Sequence, residues 1–346
     1  MSTAESATPS RTTSPATEAT TPPAGGTATA TAPGPGPRRT PGLVPVTETR
    51  STAERTPREP EPGRAGGPAA PLPRRAGAFW RLLGSELGLT FRRPRNLLML
   101  SVLAIVPIII GIALSLVSAP DDGIGGVIAS VAGNSLMLTF FAFSFLVLLL
   151  MPVTVSVVAG DALAGEAGAG TLRYLLAAPA GRTRLLLVKY LNAAIYAYAA
   201  TAVVALSSLL TGLVLFPAGP LTLLSGTTIS MGEGLVRIAV AVGYVGAGMA
   251  ALAAVALALS AFTEVSIGAI AATMVLVVVC QVLRAIPELD VITPYLLPAR
   301  FTDFDAVLRA PIDWAALWDG LLAFAAYIAL FGSIAWARFS GKDITS

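Results

Sequence analysis

The feature that most constrains this chain is a series of long apolar runs. The stretch LLMLSVLAIVPIIIGIALSLV, beginning at Leu97, contains no charged residue. An α-helix rises 1.5 Å per residue, so about 20 such residues cross the roughly 30 Å of bilayer hydrocarbon. Charged residues make up only 12% of the 346 residues, about half the fraction usual in soluble domains. The sequence therefore predicts an all-α polytopic membrane protein.

The apolar runs predict six transmembrane helices. The division between the fourth and fifth rests on Thr263 and Glu264, whose polar side chains favour a short turn over one continuous helix. The predicted spans are about 96–118, 134–160, 185–216, 234–261, 264–284 and 315–337. The transmembrane domain then occupies 76–346.

Residues 1–75 differ from the rest of the chain. They are rich in Pro, Thr, Ala, Gly and Ser and contain no long apolar run. Such a segment does not bury enough apolar surface to offset its chain entropy. We expect a disordered cytoplasmic tail, with a partner-binding tail as the alternative.

The stretch before the first span, Ala78–Phe91, has helical periodicity. Phe79, Leu82, Leu83 and Leu87 fall on one face, whereas Glu86 points elsewhere on the helix. Followed by a basic cluster, this pattern predicts an N-terminal amphipathic helix at the membrane interface. The alternative is a plain extension of the first span into the cytoplasm.

The positions of the basic residues predict the orientation, because cytoplasmic connections carry an excess of Lys and Arg. Both termini and the 161–189 connection are therefore expected in the cytoplasm, in the cell membrane. The loop between spans five and six, with Arg284, Arg300 and Arg309, opposes this assignment. The basic residues that support it are Arg92, Arg93, Arg95, Arg173, Arg182, Arg184, Lys189, Arg338 and Lys342.

Aromatic and basic residues are expected to anchor the chain at the membrane surfaces. Trp318 and Trp336 are separated by about 27 Å of predicted helix, which matches two interfacial belts. The predicted anchors are Trp80, Arg92, Arg93, Arg95, Trp318 and Trp336.

Two further patterns concern packing. Before the last span, Phe301, Phe304, Val307 and Leu308 recur at helical spacing. They predict short outer helices that lie in the outer face or, alternatively, pack against neighbouring spans. In the fourth span, Gly243–Ala247 and Gly246–Ala250 are small-residue pairs that allow close helix packing within the bundle or at a dimer contact.

The sequence lacks the residues on which several kinds of chemistry depend. The chain has no histidine, and its single cysteine, Cys280, lies in an apolar run. No G-x-x-x-x-G-K-[S/T] phosphate loop is present. We therefore expect no enzymatic activity, metal site or cofactor in this chain, and no nucleic-acid partner; ATP-driven work would need a separate ATPase chain.

The 166–189 segment, EAGAGTLRYLLAAPAGRTRLLLVK, lies between two spans. Gly168 and Gly170 are expected to end one helix, and Thr171 to cap a short amphipathic helix. Pro179 and Gly181 would then stop it. A helix of this kind lies across the cytoplasmic surface, where another protein is able to press on it.

This segment resembles the first cytoplasmic loop of ABC-2 type transporter permeases. The resemblance covers about residues 78–344 and includes the six-span layout and the ending RFSGKDI. At Ala167 the chain departs from the family, which usually has a basic residue after the glutamate. The residues that carry the motif are Glu166, Gly170, Thr171, Leu172, Leu175, Leu176, Pro179, Arg182 and Lys189.

The resemblance implies the permease subunit of an ATP-driven transporter. Its coupling helix, at Thr171–Ala178, would dock in a groove of a cytoplasmic ABC ATPase subunit. Glu166 would orient the loop or pair across the interface, and Arg173 and Arg182 would join that contact. ATP and Mg would be bound by the partner ATPase. The resemblance also implies two further partners, a second permease copy and membrane lipid. The expected activity is export of a hydrophobic or amphiphilic substrate.

Two other functions stay open. An ion-coupled secondary transporter would carry ionisable groups in its spans, and here the candidates are Glu233, Arg237 and Glu264 near span ends. A non-transporting membrane anchor or assembly protein is the other. The 166–189 segment alone also suits an ordinary loop whose arginines serve only topology.

Overall fold

A computed structural model of the chain describes residues 75–116, 134–170, 181–223 and 226–341. The predicted tail, residues 1–74 of it, lies outside the described residues. The helices of the first half are α1 (Arg75–Arg92), α2 (Pro94–Leu116), α3 (Met137–Leu146), α4 (Leu150–Gly168) and α5 (Arg182–Leu215). A small antiparallel hairpin, β1 (Leu221–Thr222) and β2 (Thr228–Ile229), follows. The second half has α6 (Met231–Phe262), α7 (Ser266–Arg284), α8 (Leu297–Arg300) and α9 (Trp314–Ser340).

Six of these helices are long and apolar enough to cross a membrane: α2, α4, α5, α6, α7 and α9. Each coincides with one predicted span to within several residues, apart from the second. There the predicted 134–160 helix is divided into α3 and α4. Pro152 explains the division, because it lacks an N–H and its ring clashes with the carbonyl four residues earlier, at Leu148.

The predicted turn between the fourth and fifth spans is confirmed. Thr263 has extended backbone angles, φ −121° and ψ 155°, and ends α6. Its hydroxyl accepts a hydrogen bond from the backbone N–H of Val265 at 3.1 Å. Val265 is the residue before α7, so this bond satisfies an N–H that the start of α7 leaves open and stabilises the turn between the two helices.

The α6 helix is the centre of the bundle, and 83% of its most apolar 18-residue stretch is buried. Its small residues permit this: a Cβ on Gly246 would lie 2.4 Å from the Tyr198 ring, and one on Gly248 3.1 Å from Phe301. The Gly246–Ala250 pair therefore packs within the bundle, as predicted. Gly243 is different, since a Cβ there would meet nothing within 4 Å.

The loop between α7 and α9 packs against the long helices. Between α7 and α8 lie 3₁₀ turns at Pro287–Leu289 and Thr293–Tyr295, and a third, Asp303–Leu308, precedes α9. Phe301 and Phe304 are buried, and the Phe304 ring lies 5.7 Å from that of Phe143 on α3. Of the two sequence interpretations of this loop, packing against neighbouring spans is the one that the structure confirms.

Contacts across the bundle define its two ends. At the basic end, where α2 and α5 begin and α4 and α9 end, Arg93 contacts Asp161 and Arg182 contacts Ser340. At the loop end, where α5 ends and α6 begins, Asn134 donates to the Gly219 and Pro220 carbonyls at 3.2 and 3.0 Å. The chain therefore alternates in direction from one long helix to the next.

Candidate functional site

Lys189, near the start of α5, forms the first of two charged clusters at the basic end. Lys189 is only 4% exposed. The ammonium donates to Glu86 Oε2 of α1 at 2.8 Å and to Glu166 Oε1 of α4. A buried ammonium needs such partners, because charge without a counter-ion is costly inside a protein. One cation therefore joins three helices.

Asp161, two turns before the end of α4, forms the second cluster. Its Oδ2 accepts from Arg93 at 3.0 Å and from Arg95 at 2.9 Å. The two arginine side chains are 55% and 43% exposed, whereas that of Asp161 is 15% exposed. The junction of α1 and α2 is therefore fastened to α4 at the surface of the bundle.

A cavity of about 210 Å³ lies between the two clusters and is lined by residues of both. Thr90, Asn96 and Asn192 form a buried network on its wall. The Asn96 amide donates to the Thr90 carbonyl at 2.9 Å, and the Asn192 amide donates to the Thr90 hydroxyl at 2.8 Å. This network ties α1, α2 and α5 together beside the charged groups.

The last turns of α4 are also bound to α6 through Ser260. Its hydroxyl donates to the Gly160 carbonyl at 2.7 Å and accepts from the Leu163 and Ala164 N–H groups at 3.2 and 2.9 Å. A side chain inserted in this way opens the helical ladder locally. The segment that carries Asp161 and Glu166 is thus attached to the central helix by three hydrogen bonds.

The structure describes only part of the predicted coupling segment. Gly170 follows α4 with φ +68°, a conformation that favours glycine. Arg182 begins α5 and donates to the Ser340 carbonyl at 2.7 Å, at the end of α9. The predicted contact residues Thr171, Leu172, Arg173, Leu175, Leu176 and Pro179 lie outside the described residues.

The predicted membrane anchors are exposed. Trp80 on α1 is 67% exposed and Trp318 near the start of α9 is 62% exposed. Trp336, at the other end of α9, donates from its indole N–H to the Thr183 hydroxyl at 3.0 Å. Arg92 is also exposed. Whether these residues lie at membrane surfaces stays a prediction.

The loop end has its own buried cation, Arg237 of α6. It donates to Glu233 Oε1 at 2.8 Å, to the Arg309 carbonyl at 2.8 Å, and to the Val307 carbonyl. The guanidinium therefore holds the turn before α9 against α6. In the same turn, burial raises the pKa of the Asp303 carboxyl, although its hydrogen bond with Arg300 opposes the shift.

Sequence reasoning missed the two clusters at the basic end. Glu86 was expected to point away from the apolar face of α1, and this is wrong: it lies on the packed side, bound to Lys189. The sequence places Lys189 in the loop motif and among the orientation signals, and Arg93 among the orientation signals and anchors, but it predicts no contact of either residue with Glu86 or Asp161. A usable signal existed, because position 86 is one helical turn from Leu82, Leu83 and Thr90 and so shares their face.

The described residues contain no group of three or more His, Cys, Asp or Glu side chains arranged to hold a metal ion. The clusters instead combine carboxylates with ammonium and guanidinium groups, three of each sign among the lining residues. Such an arrangement fixes helix ends relative to one another and offers both hydrogen-bond donors and acceptors to a guest.

The six long apolar helices and the polar groups gathered at their ends define a multi-pass membrane protein. A family model described as "Protein of unknown function (DUF2705)" matches residues 104–345. The match covers more than half of the chain, which therefore belongs to this family. No curated protein matches the chain.

Proposed function

We propose that this protein is the permease subunit of an ATP-driven transporter of the ABC-2 type, exporting a hydrophobic or amphiphilic substrate. A separate ABC ATPase subunit binds ATP and Mg and docks on the 161–189 connection. Two copies of the permease pair in the cell membrane, with both termini in the cytoplasm. The observation that carries the proposal is the bonding of Lys189 to both Glu166 and Glu86.

Glu166 and Lys189 lie on either side of the segment that the ATPase would contact. Glu166 is in the last turn of α4, and Lys189 is two turns into α5. A force on the connecting segment therefore acts on both helix ends at once. Because Glu86 shares the same ammonium, α1 moves with them, which gives the ATPase a mechanical route to the first span.

A second route leads from the same segment to the last span. Arg182, the first residue of α5, is bound to the end of α9 through the Ser340 carbonyl at 2.7 Å. The next residue, Thr183, also contacts α9, because its hydroxyl accepts a hydrogen bond from the Trp336 indole N–H at 3.0 Å. Displacement of the start of α5 thus reaches α9 through two hydrogen bonds.

An ion-coupled secondary transporter is the second candidate, and Lys189 is also the observation in its favour. Buried ionisable residues in spans often belong to ion pathways. Here Lys189 and its carboxylate partners are already paired, and they lie at helix ends. Coupling groups of secondary transporters are usually found near the middle of the membrane, which favours the permease.

The test is purification of the tagged chain from its native membrane, with ATPase assay and mass spectrometry of co-eluting proteins. We expect a stoichiometric ATPase subunit bearing the phosphate-loop motif. Replacing Leu172 and Leu175 with Asp should remove both the subunit and the activity. The matched control places two Asp at Val291 and Ile292, exposed residues at the loop end, and should retain them.

Elution of the chain alone, under conditions that preserve a reference transporter complex, would contradict the proposal. So would a complex that survives both Asp substitutions in the coupling segment. Substrate transport that follows a proton or sodium gradient in the absence of ATP would favour the secondary transporter. A partner complex whose ATPase rate never responds to any hydrophobic substrate would favour an anchor or assembly role.

A further inference from the structure

The cavity at the basic end has opposite charge at its two sides. Arg93, Arg95 and Asp161 carry a formal net charge of +1, and Glu86, Glu166 and Lys189 carry −1. Asp161 and Glu166 are five residues apart on α4, which is about 7.5 Å along a helix. The cavity therefore suits a guest with a negative group at one side and a positive group at the other.

The positive side has donors to spare. Arg93 and Arg95 each use one guanidinium nitrogen on Asp161, whereas a guanidinium has five N–H donors. Both side chains are about half exposed. A phosphate at the mouth of the cavity can thus receive charge-assisted hydrogen bonds without displacing Asp161.

The wall of the cavity has acceptors without donors. Asn96 and Asn192 are 2% and 5% exposed, and both residues are among those that line the cavity. Their amide nitrogens are bound to Thr90, but within the described part of the chain neither Oδ1 atom has a hydrogen-bond partner. Leaving buried acceptors unpaired is costly, so a guest rich in N–H or O–H donors would be stabilised here.

The position of the cavity indicates where that guest comes from. It lies where α2 and α5 begin and α4 ends, and these are three of the six apolar helices. The ends of membrane-spanning helices are at the level of the lipid headgroups. A phosphate joined to a primary ammonium is the headgroup of phosphatidylethanolamine.

We propose that the cavity between the two charged clusters binds a phospholipid headgroup bearing a primary ammonium, as in phosphatidylethanolamine. The phosphate is bound by Arg93 and Arg95. The ammonium donates to the Asn96 and Asn192 amide oxygens beside the Glu86 and Glu166 carboxylates. This site goes beyond the proposed transport function and depends only on the membrane location.

The test compares phosphatidylethanolamine with phosphatidylcholine of identical acyl chains, added to the delipidated full-length chain in detergent and measured by native mass spectrometry. The trimethylammonium group of phosphatidylcholine has no N–H to donate. We expect at least about tenfold tighter binding of phosphatidylethanolamine, because phosphatidylcholine cannot donate from its ammonium group and the loss of a single hydrogen bond from a charged group corresponds to about tenfold in affinity. Equal affinity for the two lipids would overturn the proposal.

Variants separate the two sides of the site. The double substitution Arg93→Gln and Arg95→Gln should weaken the binding of both lipids about tenfold. The matched control is Arg92→Gln, which should leave binding unchanged because Arg92 does not line the cavity. Asn192→Leu should abolish the preference for phosphatidylethanolamine, and Asn192→Asp, which keeps an acceptor, should retain it. A preference unchanged in folded Asn192→Leu would contradict the assignment.

Soluble phosphoethanolamine distinguishes the two sources of the same chemistry. Displacement of bound phosphatidylethanolamine by the soluble compound supports headgroup recognition. Binding of the soluble compound by a chain that binds neither lipid would overturn the lipid source. No arm of the test needs ATP or a partner protein, so it is independent of the permease proposal.

Discussion

Replacing Lys189 with Met tests whether the first charged cluster holds the basic end together. Methionine keeps an unbranched side chain of similar length and removes the ammonium. Glu86 and Glu166, whose side chains are 15% and 21% exposed, are then left close to each other without their shared cation. Two carboxylates that repel each other in a largely buried site favour separation of α1 from α4 and α5.

The expected magnitude follows from the burial. Removing one partner of a buried ion pair costs about 3–5 kcal/mol, because the remaining charge is uncompensated. The partial exposure of the carboxylates places the estimate at the lower value, about 3 kcal/mol. Each kcal/mol lowers the melting temperature of a domain of 150–250 residues by about 2–4 °C. Thermal unfolding of the purified chain in detergent should therefore show a decrease of roughly 6–12 °C.

Two controls make the result specific. Adding Glu86→Gln and Glu166→Gln to Lys189→Met removes the uncompensated charges and should restore at least about 2 kcal/mol, since a neutral replacement of a buried pair is often harmless. Arg93→Gln removes a half-exposed arginine and should cost about 1 kcal/mol or less. The reasoning is refuted if Lys189→Met unfolds within about 1 °C of the unaltered chain, or if the triple variant is less stable than the single one.

Three further predictions concern other parts of the bundle. Arg237→Met should destabilise the protein by about 2 kcal/mol and speed hydrogen exchange in the turn before α9, because the Val307 and Arg309 carbonyls lose their donor, whereas exposed Arg309→Gln should cost under about 1 kcal/mol. Gly212→Ala should unfold at lower temperature, because its Cβ would lie 2.0 Å from a backbone carbonyl oxygen, but Gly243→Ala, which meets nothing within 4 Å, should be neutral or stabilising. Because the pKa of Asp303 is raised in the folded state, this group stabilises the protein at low pH, and the stabilisation is lost as the pH rises through the folded-state pKa. Asp303→Asn should therefore raise the melting temperature at pH 7 and change it little below about pH 4. A difference in melting temperature that does not depend on pH would contradict this.

The long helices were predictable because their signal is local. Runs of about 20 apolar residues identify spans without knowledge of any neighbour, and α2, α6 and α7 match the predicted positions closely. The division of the second predicted span has a local cause too, Pro152, although composition alone conceals it. Boundaries moved by a few residues because caps and turns such as that at Thr263 depend on single side chains.

The clusters at the basic end were not predictable in the same way. Lys189 is 103 residues from Glu86, and Asp161 is 68 residues from Arg93. No periodicity within one segment indicates which distant charge a side chain will contact. The hairpin after α5 was missed for another reason: its strands have two residues each, too few for an alternating pattern.

The sequence separation within the Lys189 cluster also sets a schedule for biosynthesis. Glu86 leaves the ribosome 103 residues before its cation. At about 5–20 residues per second, α1 waits roughly 5–20 s for Lys189. During that time the first span is already available for insertion while the helix before it has no docking partner. Final placement of α1 is thus a late step, which follows the arrival of the third long apolar helix and leaves the nascent N-terminal helix accessible to cellular factors until then.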